Sequence, residues 1–312
     1  MSILITGGAG FIGSHLTKYF LEKNESVTVV DNFITGNKDN LKSELNNKLL
    51  NLIEADITTF NFSNLHAFDI IYDLASPASP KDFVNLSLEI LKANSIGLIN
   101  ILDFFIKSKS KTFVFASTSE VYGDPLEHPQ KESYFGNVNP IGVRSCYDEG
   151  KRFAEATLFA YQRRFNLDIR IARIFNTYGP YMNKNDGRVI SNFINQAITN
   201  RPITVYGDGK QTRSCCYVTD MVEGLVLLGQ IDNLKKEIIN VGNPEEKTIN
   251  EIAKEIKTLV NSNSEVVFKP IGQDDPKKRC PDITKAKKLL GWNPQVSLEE
   301  GLKLTIEYFK SI

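Results

Sequence analysis

The sequence is poor in the residues that metal and thiol chemistry demand. It has only His15, His66 and His128, and its four cysteines, Cys146, Cys215, Cys216 and Cys280, contain no CxxC pair. No histidine stands at zinc spacing from a cysteine, so no metal is expected. Adjacent Cys215 and Cys216 are badly placed to bridge each other, and reduced thiols in a cytosol-like compartment are the simpler expectation. No apolar run approaches the roughly 20 residues of a membrane helix, and no signal peptide precedes Ile3. A soluble, cytoplasmic chain is therefore expected. Excess charge is also lacking: Lys plus Arg number 37, as do Asp plus Glu, which favours neither nucleic acid nor a membrane surface as partner. The nucleophile elbow GxSxG is absent. Small molecules remain as ligands.

What is present is enough apolar material, 41% of 312 residues, for one large α/β unit or two joined domains. Short β-branched runs, ILIT (3–6), SVTVV (26–30), DIIYDL (69–74), TFVFAS (112–117) and DIRIAR (168–173), predict strands. Amphipathic stretches over 11–23 and 147–165 predict helices between them. This alternation predicts a doubly wound parallel sheet covered on both faces, a Rossmann architecture. After about residue 175 the chain holds more Gly, Pro and Asn, with shorter strands. We expect a dinucleotide-binding domain over 1–175 and a smaller α/β substrate-binding lobe over 176–312, with segments such as 214–245 returning to the first sheet.

The sharpest local signal is ILITGGAGFIGSHL, where Gly7, Gly10 and Gly13 follow a strand and open a helix. Glycines let backbone N–H groups approach a pyrophosphate, and the helix N-terminus adds partial positive charge. The second strand ends in VVDN, placing Asp31 to accept hydrogen bonds from an adenine ribose and repel a 2′-phosphate, which favours NAD over NADP. Farther on, SCYDEGK sets Tyr147 four residues before Lys151, on one helix face. A free tyrosine with pKa near 10 is a poor base, and lowering it by about 3 units takes roughly 4 kcal/mol of preferential phenolate stabilisation. Lys151 and a positive nicotinamide are the groups expected to supply it. In STSEVYGDP, after the fourth of these strand runs, Thr118, Ser119 and Glu120 stand at the carboxyl end of a sheet strand, where such folds bind ligands.

The glycine spacing and YxxxK resemble the extended short-chain dehydrogenase/reductase superfamily. The series TGGAGFIGSHL, DNFITG, LASPASP, TSEVYGDP, NVNPIGVRSCYDEGKR, RIARIFNTYGP, DGRVISNF, GKQTRS and DDPKKRCPDI, over nearly the whole chain, resembles the UDP-glucuronate decarboxylase family within it. The resemblance implies conversion of UDP-glucuronate to UDP-xylose and carbon dioxide, with NAD tightly held and recycled. Tyr147, Lys151, Thr118 and Glu120 are its implied catalytic residues. Arg279 is also implied, and either Glu120 or Arg279 manages the proton at carbon 5. The cofactor positions it implies, besides Tyr147 and Lys151, are Gly7, Gly10, Phe11, Ile12, Gly13, Asp31, Asn32, Thr35 and Gly36, then Asp56, Ile57, Leu74, Ser76, Ala116 and Thr177. For the nucleotide sugar it implies Lys92, Asn176, Arg188, Tyr206, Gln211, Arg213 and Arg279. Such relatives commonly dimerise through two helices per subunit, so a homodimer is expected.

Some positions depart from the family's pattern. Asn37 and Tyr181 replace arginines, Asp73 a histidine, Ala93 a threonine, and Phe135 and Cys215 a Trp and a Phe. Two other readings stay open: a 4-epimerase or 4,6-dehydratase on the same scaffold, disfavoured by Ser119-Glu120 and LASPASP, and a non-catalytic NAD-binding protein, disfavoured by intact Tyr147, Lys151 and Glu120.

Overall fold

The computed structural model describes residues 1–270 and 278–312, so the DDPK portion of DDPKKRCPDI lies outside the described residues. The chain up to Ile174 supplies strands β1 (Ser2–Thr6), β2 (Ser26–Asp31), β3 (Leu50–Glu54), β4 (Ile70–Asp73), β5 (Thr112–Thr118) and β6 (Ile169–Ile174). Short strands follow: β7 (Thr177–Tyr178), β8 (Ile203–Tyr206), β9 (Thr212–Ser214), β10 (Cys216–Tyr217), β11 (Ile238–Val241), β12 (Glu246–Thr248) and β13 (Val266–Lys269). The central sheet has the order β11-β6-β5-β4-β1-β2-β3, every pair parallel. All seven residues of β5 are buried, which is why its sequence reads as an unbroken apolar run. Strand β3 escapes the sequence pattern for the opposite reason: as an edge strand its residues are half-buried or exposed, and LNLIE carries Asn and Glu.

The helices are α1 (Phe11–Glu22), the short α2 (Asp82–Asn85) and α3 (Ser87–Lys92), α4 (Leu98–Ser108), α5 (Ser145–Phe165) and α6 (Val189–Ile198). After them come α7 (Val218–Gln230), α8 (Ile249–Val260), α9 (Thr284–Leu290) and α10 (Leu298–Ser311). Period-two alternation splits the sheet's side chains between two cores. Ile3, Ile5 and Val29 pack with Leu16 and Phe20 of α1 and Leu225 of α7, whereas Leu4, Ile71 and Phe115 pack with Leu102 of α4 and Leu158 of α5. The first core continues without a break into α6, α8 and α10.

One buried ion pair fixes α5 to the sheet. Arg173 of β6 donates to both oxygens of Glu155 at 3.0 and 2.7 Å, and Ser117 of β5 adds a 2.6 Å bond to the same carboxylate. The helix that carries Tyr147 and Lys151 is thus tied to the two strands beside them.

Candidate active site

The order of the sheet reverses between β1 and β4, and the carboxyl ends of these strands open the crevice where doubly wound folds bind ligands. Gly7 there has φ +70°, and a Cβ on it would stand 2.9 Å from the Ala75 backbone. A Cβ on Gly13 would stand 2.1 Å from the Gly7 carbonyl, so α1 abuts the turn only because both are glycines. Helix α1 starts at Phe11 with no side-chain cap, leaving its first-turn donors, including those of Phe11, Ile12 and Gly13, to serve an anion. Asp31 closes β2, accepting from Ala9 N at 2.9 Å and Phe33 N at 2.8 Å, while burial pushes its carboxyl pKa upward.

One cavity is lined by Gly7, Gly10, Asp31, Asn32, Thr35 and Gly36, and on its other side by Asp56, Ile57, Leu74 and Ser76. Asn32 donates to Asp56 at 3.0 Å across it. A backbone cradle that any side chain would fill, together with an acid at the end of β2, fits NAD. Lys92, expected at the nucleotide sugar, lines this same cavity, and its charge helps hold Asp56 down. The departures settle into local roles: Asn37 accepts from Asp39 N, Asp73 accepts from Thr6 Oγ1 at 2.6 Å, and the Tyr181 ring takes the Lys18 ammonium at 3.7 Å.

At the carboxyl end of β5 the Thr118 hydroxyl stands close enough to the Tyr147 phenol to favour its ionised form, and the phenol ring stacks on Phe83 at 5.1 Å. Lys151 donates to the Ala116 carbonyl at 2.8 Å and lies 6.0 Å from the centre of the Tyr147 ring. Burial pushes Tyr147 up to about 12, against the Thr118 hydroxyl and the Arg188 charge. It pushes Lys151 down to about 8. Protein groups alone therefore do not make the phenol a base at neutral pH. Thr177 spends its hydroxyl on the Phe175 carbonyl at 2.9 Å.

Beside this wall two carboxyls sit in unlike surroundings. Burial acts upward on Glu120, but Arg279 and Arg144 outweigh it and hold the group down to about 2. Arg279 donates to Glu120 Oε1 at 3.1 Å, to Ser119 Oγ at 3.0 Å and to the Gly123 carbonyl at 2.9 Å, and Arg144 donates to Glu120 Oε2. Asp148, one residue past Tyr147, is raised to about 7 by burial and by the Glu120 charge, and its Oδ1 has no hydrogen-bond partner among the described residues. Sequence reasoning passes over Arg144 and Asp148, although their four-residue spacing puts them on one face of the chain entering α5.

The remaining sugar-side candidates spread over the second half. Arg188 donates to the Ala78 carbonyl at 2.9 Å, and Arg213 of β9 is close enough for its charge to act on Glu120 and Arg279. Arg188, Arg213 and Arg279 thus converge on the Tyr147 and Glu120 side. The Asn176 carbonyl accepts from Cys216 N at 2.8 Å. Half-exposed Tyr206 accepts at its backbone carbonyl from the Gln211 side chain at 2.6 Å.

A family model described as GDP-mannose 4,6 dehydratase matches residues 4–305. The chain is 53% identical over 312 residues to UDP-glucuronic acid decarboxylase 5 of Arabidopsis thaliana, covering 99% of this chain and 89% of that protein. It is 52% identical over 307 residues to UDP-glucuronic acid decarboxylase 1 of Danio rerio, covering 98% and 72%. A solved UDP-glucuronic acid 4-epimerase from Bacillus cereus, in complex with UDP-glucuronic acid and NAD, superposes with TM-score 0.91 at 28% identity, over 100% of this chain and 99% of that one. A UDP-glucose 4-epimerase from Thermotoga maritima, with UDP-glucose, gives 0.91 at 34%, again over 100% and 99%. By identity held across almost its full length, the chain belongs to the UDP-glucuronic acid decarboxylase family of extended short-chain dehydrogenases/reductases.

Proposed function

We propose that the protein decarboxylates UDP-glucuronate to UDP-xylose and carbon dioxide through a 4-keto sugar, with residues 1–175 holding NAD and 176–312 supplying most of the contacts to the nucleotide sugar. The observation that carries this reading is the Thr118–Tyr147–Lys151 wall standing beside Glu120, which is gripped by two arginines. Loss of carboxylate from an ordinary sugar leaves an unstabilised carbanion, whereas a ketone at carbon 4 spreads that charge as an enolate. When bound, NAD accepts the carbon 4 hydride and later returns it, and its pyridinium charge favours the Tyr147 phenolate.

Tyr147 takes the 4-hydroxyl proton, and Thr118 hydrogen-bonds the same oxygen. Lys151, buried and bonded to the Ala116 carbonyl, holds positive charge under the site. After carbon dioxide leaves, Tyr147 and Thr118 hold the enolate oxygen and carbon 5 gains a proton. Arg279 and Arg144 hold Glu120 toward its ionised form, and Asp148, raised to about 7 by burial and by the Glu120 charge, is the carboxyl better suited to give that proton. Arg279, Arg213 and Arg188 hold the acid and diphosphate groups.

Incubation with UDP-glucuronate and separation of the products tests the reading. UDP-xylose supports it; UDP-galacturonate would make the protein an epimerase, and retained NAD without turnover a binding protein. The apolar face formed by Val84, Leu88, Leu91 and Ile99, with Phe153 of α5, is exposed and supports a homodimer built on these helices. No helix among the described residues is long and apolar enough to cross a membrane, and the four cysteines are free, which supports a cytoplasmic site of action.

A further inference from the structure

Histidine and cysteine never meet at metal spacing in the sequence, yet the fold brings His128, Glu246 and Cys280 together. One ligand atom from each lies within 4.8 Å of the other two. His128 Nε2 is 2.8 Å from Glu246 Oε2.

Backbone pairing fixes the segments that carry these side chains. Gln130, two residues past His128, donates its N–H to the Cys280 carbonyl at 2.9 Å and accepts from Asp282 N at 2.8 Å, while its side chain accepts from Cys280 N at 2.9 Å. Glu246 of β12 faces Ser214 of β9 in an antiparallel ladder, and its Oε1 accepts from Thr212 at 2.5 Å. The fully buried Ser214 hydroxyl lies near enough to act on the Cys280 thiol, and among the described residues it makes no hydrogen bond of ordinary geometry.

A thiolate, an imidazole and a carboxylate are the donors that a borderline-soft divalent cation takes, three from protein and a fourth from water. Magnesium and calcium demand oxygen ligands throughout and do not suit a sulfur donor. The cluster grades from exposed His128 through half-buried Glu246 to buried Cys280, so an ion enters from the histidine side and seats against the thiol.

We propose that His128, Glu246 and Cys280 form a binding site for a zinc-class divalent cation. Cys280 directly follows Arg279, whose guanidinium bonds Ser119 and Glu120, and Ser214 directly follows Arg213. Drawing the thiol toward His128 and Glu246 therefore shifts Arg279, and occupancy changes the KM for UDP-glucuronate. That second consequence rests on the decarboxylase reading; the cation site does not.

The test uses the full chain, stripped with chelator and titrated with cobalt(II), with zinc as competitor. One equivalent of cobalt should give a near-ultraviolet thiolate-to-metal absorption that zinc displaces. Cys280→Ser should abolish this band, and His128→Asn or Glu246→Gln should weaken cobalt binding by about tenfold or more. Metal-free melting curves show whether the variants fold, and His128, being exposed, gives the variant least exposed to a folding defect. Absence of the band, its persistence in Cys280→Ser, or unaltered affinity in both His128→Asn and Glu246→Gln would overturn the site. A KM unchanged between stripped and zinc-loaded wild-type protein would overturn the link to Arg279.

Discussion

The two sides of the crevice are built on different principles. On the proposed cofactor side the groups stand at the ends of β1, β2, β4 and β5 or on the first two turns of α1 and α5, and much of the lining is backbone. The residues proposed for the sugar, Arg188, Tyr206, Gln211, Arg213 and Arg279, stand on loops, strand ends and a three-residue strand, and they offer long side chains. Reacting atoms need placement within fractions of an ångström, which regular elements supply. Recognition of one nucleotide sugar among many can be carried by connecting segments on that scaffold.

The largest expected effect breaks the comparison at its rigid side. Tyr147→Phe keeps the ring stacked on Phe83 but removes the acid/base group, and kcat for UDP-xylose formation should fall by about 10²- to 10⁴-fold with the melting temperature nearly unchanged. Gly13→Ala drives a methyl into the Gly7 carbonyl, and purified protein should lose its NAD absorbance and melt earlier. Glu155→Ala leaves Arg173 buried without its partner and should cost about 3–5 kcal/mol in denaturant titration, since α5 loses its tie to β5 and β6.

Proton linkage sharpens the contrast within the site. Glu120 has a folded pKa of about 2, below its unfolded value, so its contribution to stability is present above that unfolded value and is lost as pH falls toward 2. Asp148 has the reverse sign: raised to about 7, it contributes below its unfolded value, and that contribution fades as pH rises through 7. Denaturation between pH 3 and 8 should therefore lose its acid limb in Glu120→Gln, which also moves the neutral limb to lower pH because the Glu120 charge no longer raises Asp148, and lose its neutral limb in Asp148→Asn. Asp148→Asn should also depress kcat more than KM, and an unchanged kcat would remove Asp148 from the proton path. The smallest effect is expected outside the crevice and tests the proposed homodimer: Leu88→Asp, at an exposed apolar position of α3, should sediment as a monomer with the fold intact where the wild type sediments as a dimer, and a monomeric wild type would remove the dimer.

The cofactor side was largely legible in the sequence because its determinants are local. Gly7, Gly10 and Gly13 sit within one turn, and Asp31 closes the next strand. Tyr147 and Lys151 were legible through helical spacing, but the phenol's ionisation was not: burial by Phe83 and the sheet raises it, and no sequence pattern reports desolvation. Arg144 and Asp148 share the four-residue period that reveals Tyr147 and Lys151, and attention to a second helix face would have singled them out. Lys92, expected at the sugar, lines the same cavity as Asp31 and Asp56, a neighbourhood that a lone lysine on a helix does not announce. His128 and Cys280 stand far apart in the sequence, and the pairing of Gln130 with the 280–282 segment, which no local pattern announces, brings them together.

Strand β11 lies against β6 at the border of the sheet, although the chain departs for more than sixty residues between them. A fragment stopping near residue 175 would present β6 with a naked row of amide and carbonyl groups, open to pairing with any passing strand. Synthesis of the first half thus leaves an unfinished object, sealed only when the later chain comes home.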